Sequence, residues 1–161
     1  SYALASTDMP DWPVAALVDG ALWPVWSSWA HTEHLAGAEW AALGLAQRAT
    51  VDHIRIHPRG NPNDPGNSLG FPKDFVIQYS FNGTDAQGVH TCDAKNRRYK
   101  ELDNWKPFLA LYGYAQPKDE WIDFRFIPRE AECIRIFGAE LSQADDGARY
   151  MQLAEIEVYG K

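Results

Sequence analysis

Five histidines, His31, His34, His53, His57 and His90, are the residues here with the widest chemistry, because a neutral imidazole can take a proton or bind a metal. His31 and His34 stand three positions apart, but no HExxH motif contains them and no CxxC pairs with them, so no common zinc centre is spelled out. His53 and His57 share one face of an alternating run, where polar residues at strand ends are the ordinary reading. Glu39, Glu101 and Glu155 are of the type that work in pairs in glycoside hydrolysis, yet nothing in their spacing places two of them together. A phosphate-cradling glycine loop is missing from the sequence. What remains is recognition chemistry. Arg59 offers a planar fork of donors, suited to two adjacent oxygens, and Asn61, Asn63 and Asn67 follow it with amides that both donate and accept.

The composition narrows the partners. The chain has 161 residues, the size of one domain spanning 1–161, and 45% of them are hydrophobic, enough for a real core. A net charge of −7 argues against DNA or RNA, since phosphate binding needs a clustered positive field. It also disfavours anionic membranes, although Lys95, Arg97, Arg98 and Lys100 form a local basic run. Seven Trp, seven Tyr and seven Phe exceed what a core of this size needs, so some rings are expected at the surface. No apolar run approaches the ~20 residues of a membrane-spanning helix. The chain starts at Ser1, as a processed or excised segment would. Cys92 and Cys133 are compatible with one disulfide or with two buried thiols.

The elements that must hold these residues read as strands. Val51–Ile56 is a run stopped by Pro58, and Phe75–Tyr79 alternates up to Asn82-Gly83, a turn dipeptide that is also part of a glycosylation sequon. Trp121–Ile127 ends at Pro128, Cys133–Phe137 ends at Gly138, and Ile156 and Val158 close the chain. Single helical turns are expected at Val14–Val18 and at Trp105–Tyr112. Six or more short, half-buried antiparallel strands predict an all-β sandwich or barrel. Two long polar loops interrupt them, Pro58–Pro72 and roughly 93–120, and loops of that length in a compact domain usually carry function.

Several segments resemble the discoidin (coagulation factor V/VIII type C) family, and within it the galactose-binding-like carbohydrate-binding modules of family 32. They are Ala16-Leu17-Val18-Asp19-Gly20 with Trp26-Ser27-Ser28, Glu39 to Leu45, and Val51 to Arg59 ending in His57-Pro58-Arg59. Gly70 to Phe75, Tyr79 to Gly83, Cys133 to Ile136 and Leu153 to Gly160 continue the series in the same order. The resemblance implies a galactose-binding-like jelly-roll β-sandwich of about eight mainly antiparallel strands, without catalytic activity. It implies a secreted, periplasmic or cell-surface setting, often beside a glycan-active enzyme in a larger chain. It places a glycan site in the loops at one end: Arg59 with Asn61 or Asn67, His31 or His34 reading an axial hydroxyl, and Tyr150 or Trp29 as the stacking ring. It further implies a structural Ca²⁺ held by Asp19 and Glu155, although Ala21 and Pro24 stand where side-chain oxygens are common. A galactose-type glycan is the expected partner; the alternative is a discoidin-type surface for a protein or a lipid.

Overall fold

The structure, a computed structural model, describes residues 2–32, 38–81, 92 and 105–160. His34, the Asn82-Gly83 turn and the basic run 95–100 lie outside these residues. The strands are β1 (Tyr2–Ala5), β2 (Trp26–Ser27), β3 (Glu39–Gly60), β4 (Ser68–Leu69), β5 (Asp74–Ser80), β6 (Lys106–Leu111), β7 (Ile122–Glu140), β8 (Ser142–Gln143), β9 (Arg149–Tyr150) and β10 (Gln152–Gly160). Val14–Val18 is one turn of 3-10 helix, as its sequence predicts. The hydrogen-bonded order is β2-β10-β3-β7-β5-β6, with β1 and β4 also paired to β3, and every ladder is antiparallel.

Two long strands serve both layers of the sandwich. Residues 39–44 of β3 pair with 133–138 of β7, and β5 and β6 extend that ladder. Residues 51–58 of β3 pair instead with β10 and with the start of β7. The change occurs where the register slips, between Gly44 and Ala49 and between Val51 and His53. Bulges of this kind bend a strand and increase its twist, which lets one strand pass from sheet to sheet. Ile54, Ile56 and Phe124 of one layer meet Phe75, Ile77, Ile134 and Ile136 of the other in a single buried cluster. Phe75 and Phe124 touch edge to face, with ring centres 5.9 Å apart. Each such side chain contributes roughly 1.5–3 kcal/mol by leaving water. This is the expected jelly-roll β-sandwich.

Three sequence expectations need correction, and one left open is decided. Pro128 does not end a strand: Ile122–Ile127 and Cys133–Phe137 are parts of one 19-residue strand, β7. Pro128 falls beside the register slip at Val51/His53, where the ladder does not require its missing donor. Pro58 likewise lies next to a slip, at Leu153/Glu155, and β3 runs on to Gly60, so Arg59 is strand-borne. The helical turn expected at Trp105–Tyr112 is the strand β6, paired along β5 from Phe75↔Leu111 to Tyr79↔Lys106, so part of the second long loop is sheet. The two cysteines form the Cys92–Cys133 disulfide, with Cα atoms 5.8 Å apart.

Candidate functional site

The end of the sandwich where β3 leaves the sheet gathers the candidate residues. Arg59 is the penultimate residue of β3 and is half-buried. Its Nη1 donates to Gln152 Oε1 at 2.9 Å, and its guanidinium lies 4.8 Å from the centre of the Trp12 ring. Its Nε is buried without a hydrogen-bond partner among the described residues. Burial lowers the Arg59 pKa below the usual arginine value, with an opposing contribution from Tyr150.

Trp12 owes its place to a tight turn. Pro10 and Asp11 are the central residues of Met9–Trp12, Asp11 has φ 67°, and the Trp12 N–H donates to Met9 O at 3.0 Å. Proline followed by a left-handed residue is the pattern of a type II turn, and aspartate tolerates that conformation better than most side chains. Together Trp12, Arg59, Asn63, Asp146, Tyr150 and Gln152 line most of a cleft of about 260 Å³. The Tyr150 hydroxyl donates to Asp146 Oδ2 at 2.7 Å, which pushes the phenol up and holds the carboxylate down. Asp146 therefore presents a negative charge at neutral pH.

A second cleft, of about 470 Å³, opens on the other side of Arg59. Its walls include Leu22, Trp23, His57, Asn61 and Asp119. The loop between β3 and β4 that separates the clefts is held by its own backbone: Asn61 N–H donates to Asn67 O, and Asn67 N–H to Asp64 O. Asn61 Oδ1 accepts from Asn63 N–H, an Asx turn. Asn67 gives its amide to Asp64 and accepts from Lys118, so it braces the loop and lines neither cleft.

The remaining sequence candidates sit apart from the clefts. The His31 backbone pairs with Arg149, next to Tyr150, but its Nε2 lies 2.7 Å from Glu39 Oε1. Glu39 is buried and also accepts from Ser6 and Thr7. Trp29 is 59% exposed, with its Nε1–H donated to Asp8 O at 3.0 Å. Asp19 and Glu155 do come together as neighbours: Gly20 N–H donates to Glu155 and Ala21 N–H to Asp19. Glu155 is buried, and its pKa is pushed up to about 7, by burial first and by the neighbouring Asp19 among the further causes. Among the described residues no group of three or more His, Cys, Asp or Glu is arranged around a metal position.

A larger open groove of about 550 Å³ runs between β6 and β7, over the stacked rings of Phe108 and Phe126. Among the described residues the only polar side chains lining it are Arg125 and Arg129, which donate and never accept. A polyhydroxyl ligand needs both, and the clefts beside Arg59 supply both.

The chain matches the F5/8 type C domain over residues 3–156. It belongs to that family. No curated protein sequence matches this F5/8 type C domain. Among solved structures it is similar to one from the Streptococcus pneumoniae β-galactosidase BgaA, with 23% identity and a TM-score of 0.71 over 99% of this chain and 92% of that one. It is similar to chitosan-binding module 2 of a chitosanase/glucanase from Paenibacillus sp. IK-5, solved with chitotriose, with 17% identity and a TM-score of 0.68 over 98% and 95% of the two chains. It is also similar to the family 32 module of NanJ from C. perfringens, solved with galactose, with 20% identity and a TM-score of 0.64 over 98% and 92%. These likenesses establish the fold of the domain.

Reading residues alone did not single out Trp12, Trp23, Asp119 or Asp146. Two of them carried a usable signal. Asp11-Trp12-Pro13 and Trp23-Pro24 set tryptophan beside proline in turn-rich segments, where a ring is more readily held at the surface than in a sheet.

Proposed function

We propose that this F5/8 type C domain is a non-catalytic carbohydrate-binding module that takes a galactose-type or related sugar in the cleft between Trp12, Arg59 and Tyr150. The observation that carries the reading is the position of Arg59. A guanidinium with a buried Nε is held between an aromatic wall and a carboxylate–phenol pair. A sugar offers an apolar ring face and a rim of hydroxyls, which this arrangement complements: rings for the face, Arg59 as donor, Asp146 as acceptor. Binding by one such cleft is expected in the millimolar to micromolar range, about 4 to 8 kcal/mol. The similar modules solved with galactose and with chitotriose support a saccharide ligand.

Asp19 and Glu155 fit a hard cation. Two neighbouring carboxyls, one of them buried, offer oxygens that a Ca²⁺ would satisfy, with backbone carbonyls as the further ligands such an ion needs. The ion would pin the loop that carries Trp23 and take no part in chemistry. The Cys92–Cys133 disulfide suits an oxidising, extracellular setting, where such a module would direct an attached glycan-active enzyme. No helix among the described residues is long and apolar enough to cross a membrane.

A glycan array followed by titration calorimetry tests the function. Saturable binding to a defined sugar, lost in Arg59→Ala with little change in Tm, is the expected result. Absence of glycan binding, together with binding to vesicles of phosphatidylserine and phosphatidylcholine, would establish the lipid alternative instead. Leu22 and Trp23 are exposed as a lipid surface requires, but Asp119 beside them carries the wrong charge for anionic headgroups.

A further inference from the structure

We propose that the binding surface continues across Arg59 into the larger cleft, and that its ligand is an oligosaccharide of at least two sugar residues without acidic groups. This rests on the carbohydrate reading above and names the class of glycan it would take.

Arg59 and Pro62 line both clefts, so the two are adjoining halves of one surface. The aromatic rim is continuous as well: Trp12, on the first cleft, meets Trp23, on the second, edge to face at 5.6 Å between ring centres. Trp23 is 67% exposed, a costly position for a large ring unless something covers it. The second cleft is the roomier, about 470 against 260 Å³. A monosaccharide seated against Tyr150 would leave Trp23 bare, whereas a neighbouring sugar would cover it.

The polar groups of the second cleft are built rather than incidental. Asp119 is anchored through its N–H to Gly66 O at 3.1 Å. Its carboxylate fills the space beside Gly60, where an added Cβ would come within 2.7 Å of Oδ2. His57 is buried, and its Nδ1–H donates to Pro58 O at 2.8 Å. Asn61 adds an amide. Hydroxyl groups, which donate and accept at once, suit this set.

The charges decide against acidic glycans. Asp145 and Asp146 line one cleft and Asp119 the other, while Arg59 is the one Lys or Arg among the described residues lining either. A uronate or sulfate placed in either half would face a carboxylate at short range, which is unfavourable at the low effective dielectric of a cleft.

Calorimetry with matched probes tests this: galactose against β-1,4-galactotriose, N-acetylglucosamine against triacetylchitotriose, and trigalacturonate. In whichever neutral series binds, the trisaccharide is expected to bind at least about tenfold tighter than its monosaccharide, about 1.4 kcal/mol. Trp23→Ala should bring that ratio close to one, and trigalacturonate should bind more weakly than galactotriose. Equal affinity for monosaccharide and trisaccharide would overturn the second cleft while leaving the carbohydrate reading intact. Preference of the wild-type domain for trigalacturonate over galactotriose would overturn the charge argument. If no probe binds and the glycan array is blank, both readings fail together. The exposed Trp23 side chain makes Trp23→Ala a variant that should fold, and its Tm serves as the check.

Discussion

The guanidinium of Arg59 is held over the ring of Trp12 at 4.8 Å and tied to Gln152 at 2.9 Å, so a strand residue from the middle of the chain is oriented by one residue near each end. The Gln152 Nε2 in turn donates to Ser27 Oγ at 3.0 Å, which roots the arrangement in buried sheet. Orientation of this kind makes the shape of the side chain matter as much as its charge.

Arg59→Lys is therefore expected to weaken sugar binding by about tenfold or more, close to the loss in Arg59→Ala, because an ammonium cannot reproduce the planar fork. Calorimetry gives the affinity and a thermal melt gives the stability. Wild-type affinity in Arg59→Lys would show that only the charge is needed.

His31→Ala should behave as a stability variant. The buried Glu39 carboxylate would lose one of its three side-chain partners, a loss of roughly 1–3 kcal/mol. A lowered Tm with sugar affinity retained is expected. Loss of binding at an unchanged Tm would instead place His31 on the ligand.

Glu155 predicts a pH dependence once cations are removed by a chelator. Its folded pKa of about 7 lies above the ordinary value of 4.5, so the folded state holds the proton more tightly than the unfolded state. Its contribution is most favourable below about pH 4.5, falls as pH rises through 7, and is constant above that. In EDTA at pH 8, Glu155→Gln should be the more stable protein, by on the order of 3 kcal/mol, and the gap should close by pH 4. Added Ca²⁺ should raise the wild-type Tm at pH 8 and have little effect on the variant. Indifference of the wild type to both Ca²⁺ and EDTA would count against the ion.

Reduction of Cys92–Cys133 should cost about 4 kcal/mol on the chain-entropy model, given the separation of 41 residues. Thermal melts with and without a phosphine reductant measure it. Cys133 is fully buried in β7, so Cys92→Ala is the milder probe of the same loss.

Much of the sandwich was legible in the residues because alternation is a local signal. Ile54 and Ile56 point inward and His53 and Arg55 outward whatever their partners are. The site was legible only where one residue type carried it. Arg59 and Tyr150, expected on one ligand, do line one cleft. His31 and Trp29 are close along the chain to that end yet spend their polar atoms on Glu39 and Asp8. Nothing local distinguishes a histidine that will meet a sugar from one that will meet a buried glutamate 8 positions on.

By itself, then, the order of residues determined a β-rich chain, an acidic surface, and an arginine at the start of an amide-rich loop. Tertiary structure decided the rest. It joined strand runs across Pro58 and Pro128, because register slips left those prolines without a donor to supply. It paired Cys92 with Cys133, and it brought Trp12, Arg59 and Tyr150 to one cleft and Trp23 to its neighbour. Pairing partners across a sheet are set by the total burial that a fold achieves, and that quantity belongs to the whole chain rather than to any stretch of it.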